Sequence, residues 1–370
     1  LGSLNVTQLW AFFLLGCAFG VAARLGRFCL LRGMRQRMGL DQDEPRGSAP
    51  ALQAFALALA VALLATQWLV GTNLVDVGQA SIVRPTFSVI GVLIGGAIFG
   101  VGMVLARACG ARSLVLLAGG NLRSLITIIF LALGAQAAIT GALAPVRQWL
   151  QGLASTTLPH ATIPAQLQAM GWAAPVSAVL VVALPALLLL AYALYQPALR
   201  RNPAQWITAL VIGLLVAAGW WICAHVGVDP FEPVKLVSIS FIGPIAESFL
   251  YLQLAVGRDW SIGPALVTGV LTGAFAAAMA SRTARWEGFD NTPRLAASAI
   301  GGLLMGFGGV VAAGCSIGQG LAGLSTLAFA CVVAMAGIVL GAWLSLRWVR
   351  TAGFCLRAVG YYLLPAIGVL

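Results

Sequence analysis

The chain is 370 residues long, 61% hydrophobic and only 8% charged, with repeated runs of about 20 apolar residues. This excludes a soluble globular protein and marks an all-α, polytopic helical membrane protein. The net charge of +11 rests on 20 arginines and one lysine, Lys235; in a bilayer-embedded chain such charges sit in cytoplasmic loops or among lipid headgroups, so the expected partner surface is membrane lipid and nucleic acid is excluded.

The chain opens at Leu1 in "LGSLNVTQLW" with no basic stretch before the first apolar run, so no signal peptide is expected and the first span doubles as the insertion signal. Crossing roughly 30 Å of hydrocarbon at 1.5 Å per residue takes about 20 residues. Segments of that kind lie near 7–28, 51–70, 88–107, 121–142, 173–196, 204–225, 262–281, 295–313 and 325–346, which predicts about nine spans. The stretch 241–257, broken by Gly243-Pro244 and carrying Glu247, and the stretch 352–370, with Arg357 and Pro365, suit re-entrant or interfacial positions as well as crossings. Two apolar pieces are too short to cross. From Cys109 to Gly119 a helix reaches about 16 Å, and the piece from Cys315 to Leu324 is shorter still. Both predict half-membrane re-entrant helices, which are tolerated only where their ends are buried in protein or line a wet cavity.

Loop charges give part of the topology. Arg24, Arg27, Arg32, Arg35, Arg37 and Arg46 crowd the first loop, making it cytoplasmic and placing the amino terminus outside. Arg200 and Arg201 after the fifth span agree, and the loop from about 143 to 172, with Arg147 as its one charge, suits the outer side. Beyond residue 258 the arginines do not decide, because the parity turns on whether 241–257 crosses.

A shift of 206 residues aligns "IGGAIFGVGMVLARAC" (94–109) with "IGGLLMGFGGVVAAGC" (300–315), matching eight of sixteen positions, among them Gly96/Gly302, Gly100/Gly306 and Cys109/Cys315. This predicts a duplicated membrane domain, with halves 1–200 and 201–370. Each half has a G-x-x-x-G step for close helix approach and a span that stops at a cysteine. Repeated halves with broken helices near the bilayer midplane are a common transporter plan, the site lying between the repeats.

Seven cysteines stand at 17, 29, 109, 223, 315, 331 and 355, none with C-x-x-C or zinc-ligand spacing. Cys17, Cys223 and Cys331 lie inside apolar runs, where a thiol acts as a small hydrophobe, and Cys355 reads similarly. Cys109 and Gly110 differ: "RACGAR" precedes the short helix, so they sit at a helix amino terminus whose free N–H groups favour an anion, with Arg107 and Arg112 adding positive charge. Headgroup snorkelling is the competing use of those two arginines. Cys315 repeats the arrangement without arginine, and "AAGCSIGQGLAGLSTLA" offers Ser316, Gln319 and bare glycine backbone. Two thiol-headed helix termini facing each other would suit an anion containing sulfur.

The other candidates carry less. Cys29, among arginines near the inner end of the first span, reads by itself as ordinary; Lys235 with nearby Glu232 reads as a loop pair; Glu247 is a functional candidate if it lies within the membrane. His160 and His225 read as loop or interfacial residues. A soft-metal channel would need more Met and His beside the thiols than seven dispersed methionines and two histidines supply. No cofactor is expected, and no nucleotide-binding loop is present in the sequence.

Two stretches carry a resemblance to a known family. "CGARSLVLLAGGNLRSL" and "GGVVAAGCSIGQGLAGLSTLA" resemble the two cysteine motifs of the YeeE/YedE family, whose characterised members take up thiosulfate. The resemblance implies an hourglass-like helical protein of the bacterial inner membrane, with re-entrant helices meeting at the centre. It implies a permease in which Cys109 and Cys315 form the central pair and Cys29 matches a third cysteine more loosely, thiosulfate passing by transient thiol-to-sulfur hydrogen bonds. A small TusA-like cytoplasmic sulfur carrier is an implied partner, and selenium compounds are implied as alternative cargo. Leu116, Leu117, Ala118 and Gly119 depart from relatives that carry charge there, which bears on the anion preferred. The alternative is a membrane sulfurtransferase or thiol oxidoreductase, for which a resolving thiol or a nearby base is needed.

Overall fold

The computed structural model describes residues 6–41, 48–173, 179–195, 197–227, 236–257, 259–288 and 292–351, with Pro45, Val176 and the backbone of the last helix to Leu363. In lipid the backbone must satisfy its own polar groups, so the apolar runs fold as helices. The first part holds α1 (Val6–Leu25), α2 (Leu30–Arg37), α3 (Pro50–Gly71), α4 (Val89–Ala106), α5 (Gly110–Ala118) and α6 (Leu122–Ile139). A loop region with α7 (Ala144–Gly152) and α8 (Ile163–Ala169) follows, tied to the start of α4 by an antiparallel pair, β1 (Thr86–Ser88) with β2 (Ser155–Thr157). Then come α9 (Leu184–Tyr195), α10 (Pro197–Arg200), α11 (Pro203–His225), α12 (Ile242–Gln253), α13 (Ile262–Ala280), α14 (Thr292–Val311) and α15 (Phe329–Leu363).

Among the described residues eight helices are long and apolar enough to cross a membrane: α1, α3, α4, α6, α11, α13, α14 and α15. The chain is a multi-pass, all-helical membrane protein. In the span expected near 173–196 the described apolar helix covers Leu180–Tyr195 and includes a π-helical turn at Val179–Ala183; residues 174, 175, 177, 178 and 196 lie outside the described residues. Between α11 and α13, α12 has 12 residues, about 18 Å, and cannot cross alone. The stretch from 352 does not start a new element, since α15 continues through it to Leu363. Residues 364–370, with Pro365, and the loop holding Glu232 and Lys235 lie outside the described residues, as do Arg46 and the side chains of Cys355 and Arg357.

Close packing rests on small residues. A Cβ built on Gly96 would lie 2.6 Å from Ala334 O, and one on Gly100 2.6 Å from Ala342 N, so α4 runs parallel to α15 with the backbones in contact. The aligned pair behaves alike on another helix: Gly302 meets Thr127 O at 2.6 Å and Gly306 meets Ala135 N at 2.6 Å, so α14 runs parallel to α6. Between these pairs α4 and α14 are antiparallel, Gly95 facing Ala312 and Gly102 facing Gly301. On the other flank α1 and α13 are parallel, Gly16 facing Val270 and Gly273 facing Cys17, while α1 and α11 are antiparallel, with Thr208 Oγ1 donating to Ala22 O at 3.1 Å.

These directions bring Arg24, Arg123, Arg282, Arg285, Arg294, Arg347 and Arg350 to one end of the bundle. The ends are also tied directly, by Arg24 Nη2 to Thr283 O at 2.8 Å and Leu122 N to Glu287 O at 3.1 Å. The positive-inside rule assigns this end to the cytoplasm, so the parity beyond residue 258 resolves with α12 folded back on its own side.

Candidate functional site

Three chain breaks build the site, and they share one local design. α1 ends before Arg27 (φ 49°), α4 before Arg107 (φ 58°) and α14 before Ala313 (φ 60°). In each case a non-glycine residue in the left-handed region stands two positions before a cysteine: Cys29, Cys109 and Cys315. Such a conformation is uncommon for side-chain-bearing residues and costs on the order of 1 kcal/mol or more. It stops the helix and turns the chain so that the cysteine heads a new one.

Cys29 is the N-cap of α2 and Cys109 of α5, both in extended conformation. The N–H groups of Leu31 and Arg32 lie beside the Cys29 sulfur and that of Arg112 beside the Cys109 sulfur, short of full capping geometry. Cys315 precedes a π-helical segment, Gly318–Gly323, and its sulfur accepts from Gly318 N at 3.3 Å. The backbone N–H of Phe241, the N-cap of α12, also faces the Cys315 sulfur. Four short helices therefore point their amino termini at the thiols.

The side chains converge as well. Cys29 and Cys109 interact thiol to thiol, and Cys315 bears electrostatically on Cys109. All three are buried, at 6%, 3% and 1% exposure, and all are free thiols. The Arg112 guanidinium acts on both Cys29 and Cys109; its one hydrogen bond given by the structure is a long one, 3.5 Å to Ala23 O. Around the breaks, Ser113 Oγ, Ser316 Oγ and Gln319 Oε1 are buried without a hydrogen-bond partner, although Gln319 Nε2 holds Ala312 O at 2.8 Å. Buried polar atoms ordinarily find partners, so these three have hydrogen-bonding capacity to spare. Gly110 and Gly314 keep the backbone bare here, and Gly314 (φ 159°) would press a Cβ to 3.0 Å from the Gln319 side chain.

Two cavities flank the breaks. One of about 160 Å³ includes Arg84, Ser88, Gln151, Ala313 and Gln319 in its lining and reaches the second break from the end opposite the arginine cluster. The other, about 430 Å³, lies at the arginine-rich end and is lined by Arg35, Arg107, Arg123 and Arg294 among apolar residues.

A family model described as sulphur transport matches residues 25–344, a stretch that contains all three breaks. The chain belongs to the sulphur transport family. Among relatives, the thiosulfate transporter TsuA of Escherichia coli (strain K12) is 27% identical over 346 residues, covering 89% of this chain and 91% of that protein. The thiosulfate transporter TsuA of Spirochaeta thermophila is 26% identical over 366 residues, covering 92% of this chain and 99% of its own length.

Within this sulphur transport fold, Cys109, Gly110, Arg112, Cys315, Ser316 and Gln319 gather about one place, with Cys29 against Cys109. Arg107 is parted from Arg112 and turns into the larger cavity. The other described cysteines sit in packing positions: Cys17 lies on the seam with Gly273, Cys223 accepts from Val237 N at 3.3 Å, and Cys331 is fully buried against Gly323. Glu247 accepts from Ser261 Oγ at 3.2 Å beside Gly263, which sets a carboxylate at the amino terminus of α13. His160 and His225 are exposed. Sequence reasoning missed α2 as a half-length helix and, although it offered 241–257 as re-entrant, missed that α12 presents Phe241 to the Cys315 thiol. A signal was present: Cys29 lies one helix-length past the start of α1, as Cys109 does past the start of α4.

Proposed function

We propose that this protein imports thiosulfate through the constriction formed by Cys315, Cys109 and Cys29. What carries the reading is the coincidence at one buried point of three free thiols, the Arg112 guanidinium and several helix amino termini. Helix termini and a cation suit the sulfonate oxygens of the anion, and a thiol suits its soft outer sulfur as a weak donor. Thiosulfate enters from the cavity beside Gln319, passes Cys315, then meets Cys109 and Cys29 with Arg112, and leaves toward the arginine-rich end. The like packing of Gly96 and Gly100 on α15 and of Gly302 and Gly306 on α6, together with antiparallel α4 and α14, supports an inverted duplication in which the halves meet at this point. A small sulfur carrier of the TusA type would receive the anion on the cytoplasmic side.

Uptake of radiolabelled thiosulfate into proteoliposomes tests this. Saturable uptake by wild type, lost in Cys109→Ala and Cys315→Ala and resistant to excess sulfate, is expected. Unchanged uptake in both variants would sink the thiol path. The nearness of the Cys29 and Cys109 thiols favours one second reading, in which a thiolate takes the outer sulfur as a persulfide and releases sulfite, with the other thiol resolving it. A persulfide on either cysteine after thiosulfate exposure, seen by mass spectrometry, selects that chemistry; its absence during active uptake selects passage without covalent capture.

A further inference from the structure

Between α13 and α14 the chain runs as a strap against the end of the first re-entrant helix. Arg285 N donates to Gly119 O at 3.0 Å, Glu287 N to Gly120 O at 3.1 Å and Leu122 N to Glu287 O at 3.1 Å, while Asn121 Nδ2 donates to the Glu287 carboxylate. α5 meets this strap with its carboxy terminus and carries Cys109 at its other end.

One side chain from α1 joins the strap to the thiol site. Arg24 Nη2 donates to Thr283 O at 2.8 Å and to Thr283 Oγ1 at 3.0 Å. Its guanidinium lies so close over Gly119 that a Cβ there would come to 2.8 Å from Cζ. Glu287 is its acidic neighbour. Arg24 bears in turn on Arg112, whose long hydrogen bond goes to the carbonyl of the preceding residue, Ala23. Arg32, a second cation bearing on Arg112, faces Asp41 at 3.7 Å.

These contacts set two guanidinium groups at successive depths. Arg112 stands beside the thiols in the first turn of α5, and Gly119, beneath Arg24, lies seven residues on, about 10 Å at the rise of a helix. An anion held beside the thiols leaves a buried site only if another cation takes over part of its charge, because a bare charge is costly in low-dielectric surroundings. Arg24 stands where that exchange is needed. Its partners, a carbonyl, a hydroxyl and an exposed carboxylate, can give way to an oxyanion and can replace one.

We propose that Arg24 receives thiosulfate from Arg112 on the inward side of the thiols, and that Thr283 and Glu287 then reclaim the guanidinium and release the anion to the cytoplasm. Resting on the inward passage proposed above, this exchange supplies its release step. Glu287 serves twice: it competes for Arg24, and its charge repels the departing dianion.

Initial rates of radiolabelled thiosulfate uptake into proteoliposomes, measured from low to saturating concentration, separate this step from binding at the thiols. Arg24→Gln should lower the maximal rate about ten-fold or more, with half-saturation within about twofold of wild type, and Arg24→Lys should recover most of the rate. Glu287→Gln keeps an acceptor for Asn121 but loses the charge, so maximal rate and half-saturating concentration should both fall about threefold. A merely unstable protein would lose rate without that gain in apparent affinity. Arg285→Gln, on the same strap, should behave as wild type. A wild-type rate in Arg24→Gln, or a half-saturating concentration in Glu287→Gln that is unchanged or higher, overturns the proposal, while uptake by wild type and its loss in Cys109→Ala leave the thiol path standing. Absence of uptake by wild type overturns both. If Arg24→Gln does not purify, Glu287→Gln decides.

Discussion

Arg112→Met separates binding from folding at one residue. The guanidinium lies beside the Cys29 and Cys109 thiols, and its one hydrogen bond given by the structure, to Ala23 O, is 3.5 Å long. Holding a cation in such a place costs free energy, and replacing it by an apolar side chain of similar length relieves that cost. The melting temperature in detergent is therefore expected to stay level or rise. Transport moves the other way. A charge-assisted hydrogen bond contributes about 1.5–3 kcal/mol, which is about a ten- to hundredfold change in affinity at 1.4 kcal/mol per decade. The thiosulfate concentration for half-maximal uptake into proteoliposomes should rise by that factor, with Arg112→Lys falling between. Lower melting together with unchanged uptake would refute the argument, since Arg112 would then hold the fold and not the anion.

Gly306→Ala would press a Cβ to 2.6 Å from Ala135 N, backbone that cannot yield, and should destabilise by about 1–3 kcal/mol; Gly71→Ala, which meets nothing within 4 Å, should leave thermal melting unchanged. Cys17→Ala and Cys331→Ala should transport at wild-type rates, with a modest loss of melting temperature for Cys331→Ala because that thiol is fully buried. Asn121 caps α6 by accepting from Ser124 N at 3.1 Å and also bonds Glu287, so Asn121→Ala should cost about 1 kcal/mol or more without altering half-saturation.

The break at Cys109 could be read from sequence because a cysteine and a glycine interrupt an apolar run whose remainder, Ala111 to Ala118, is too short to cross. The second break was legible for the same reason, though not its π-helical form, which depends on how Gly318–Gly323 packs against Ser240 and Phe55. Cys29 was obscured by its surroundings. Leu30–Arg37 holds three arginines in eight residues and has the pattern of a loop, and its partner Cys109 is 80 residues away. The shared left-handed residue two positions before each cysteine was invisible for a different reason: arginine and alanine carry no preference for that conformation.

The seam between α1 and α13 bears on how the protein is made. α1 leaves the ribosome long before α13, the helix it packs against at Gly269 and Gly273, which begins at Ile262. At about 5–20 residues per second, the nascent amino-terminal helix spends on the order of 10–50 s in the bilayer before its partner emerges, with Gly16 and Gly20 bare to lipid. α4 likewise awaits α15. These seams therefore close late in synthesis or after it, and the nascent chain must be shielded from pairing with strangers through those glycine faces until the later spans arrive.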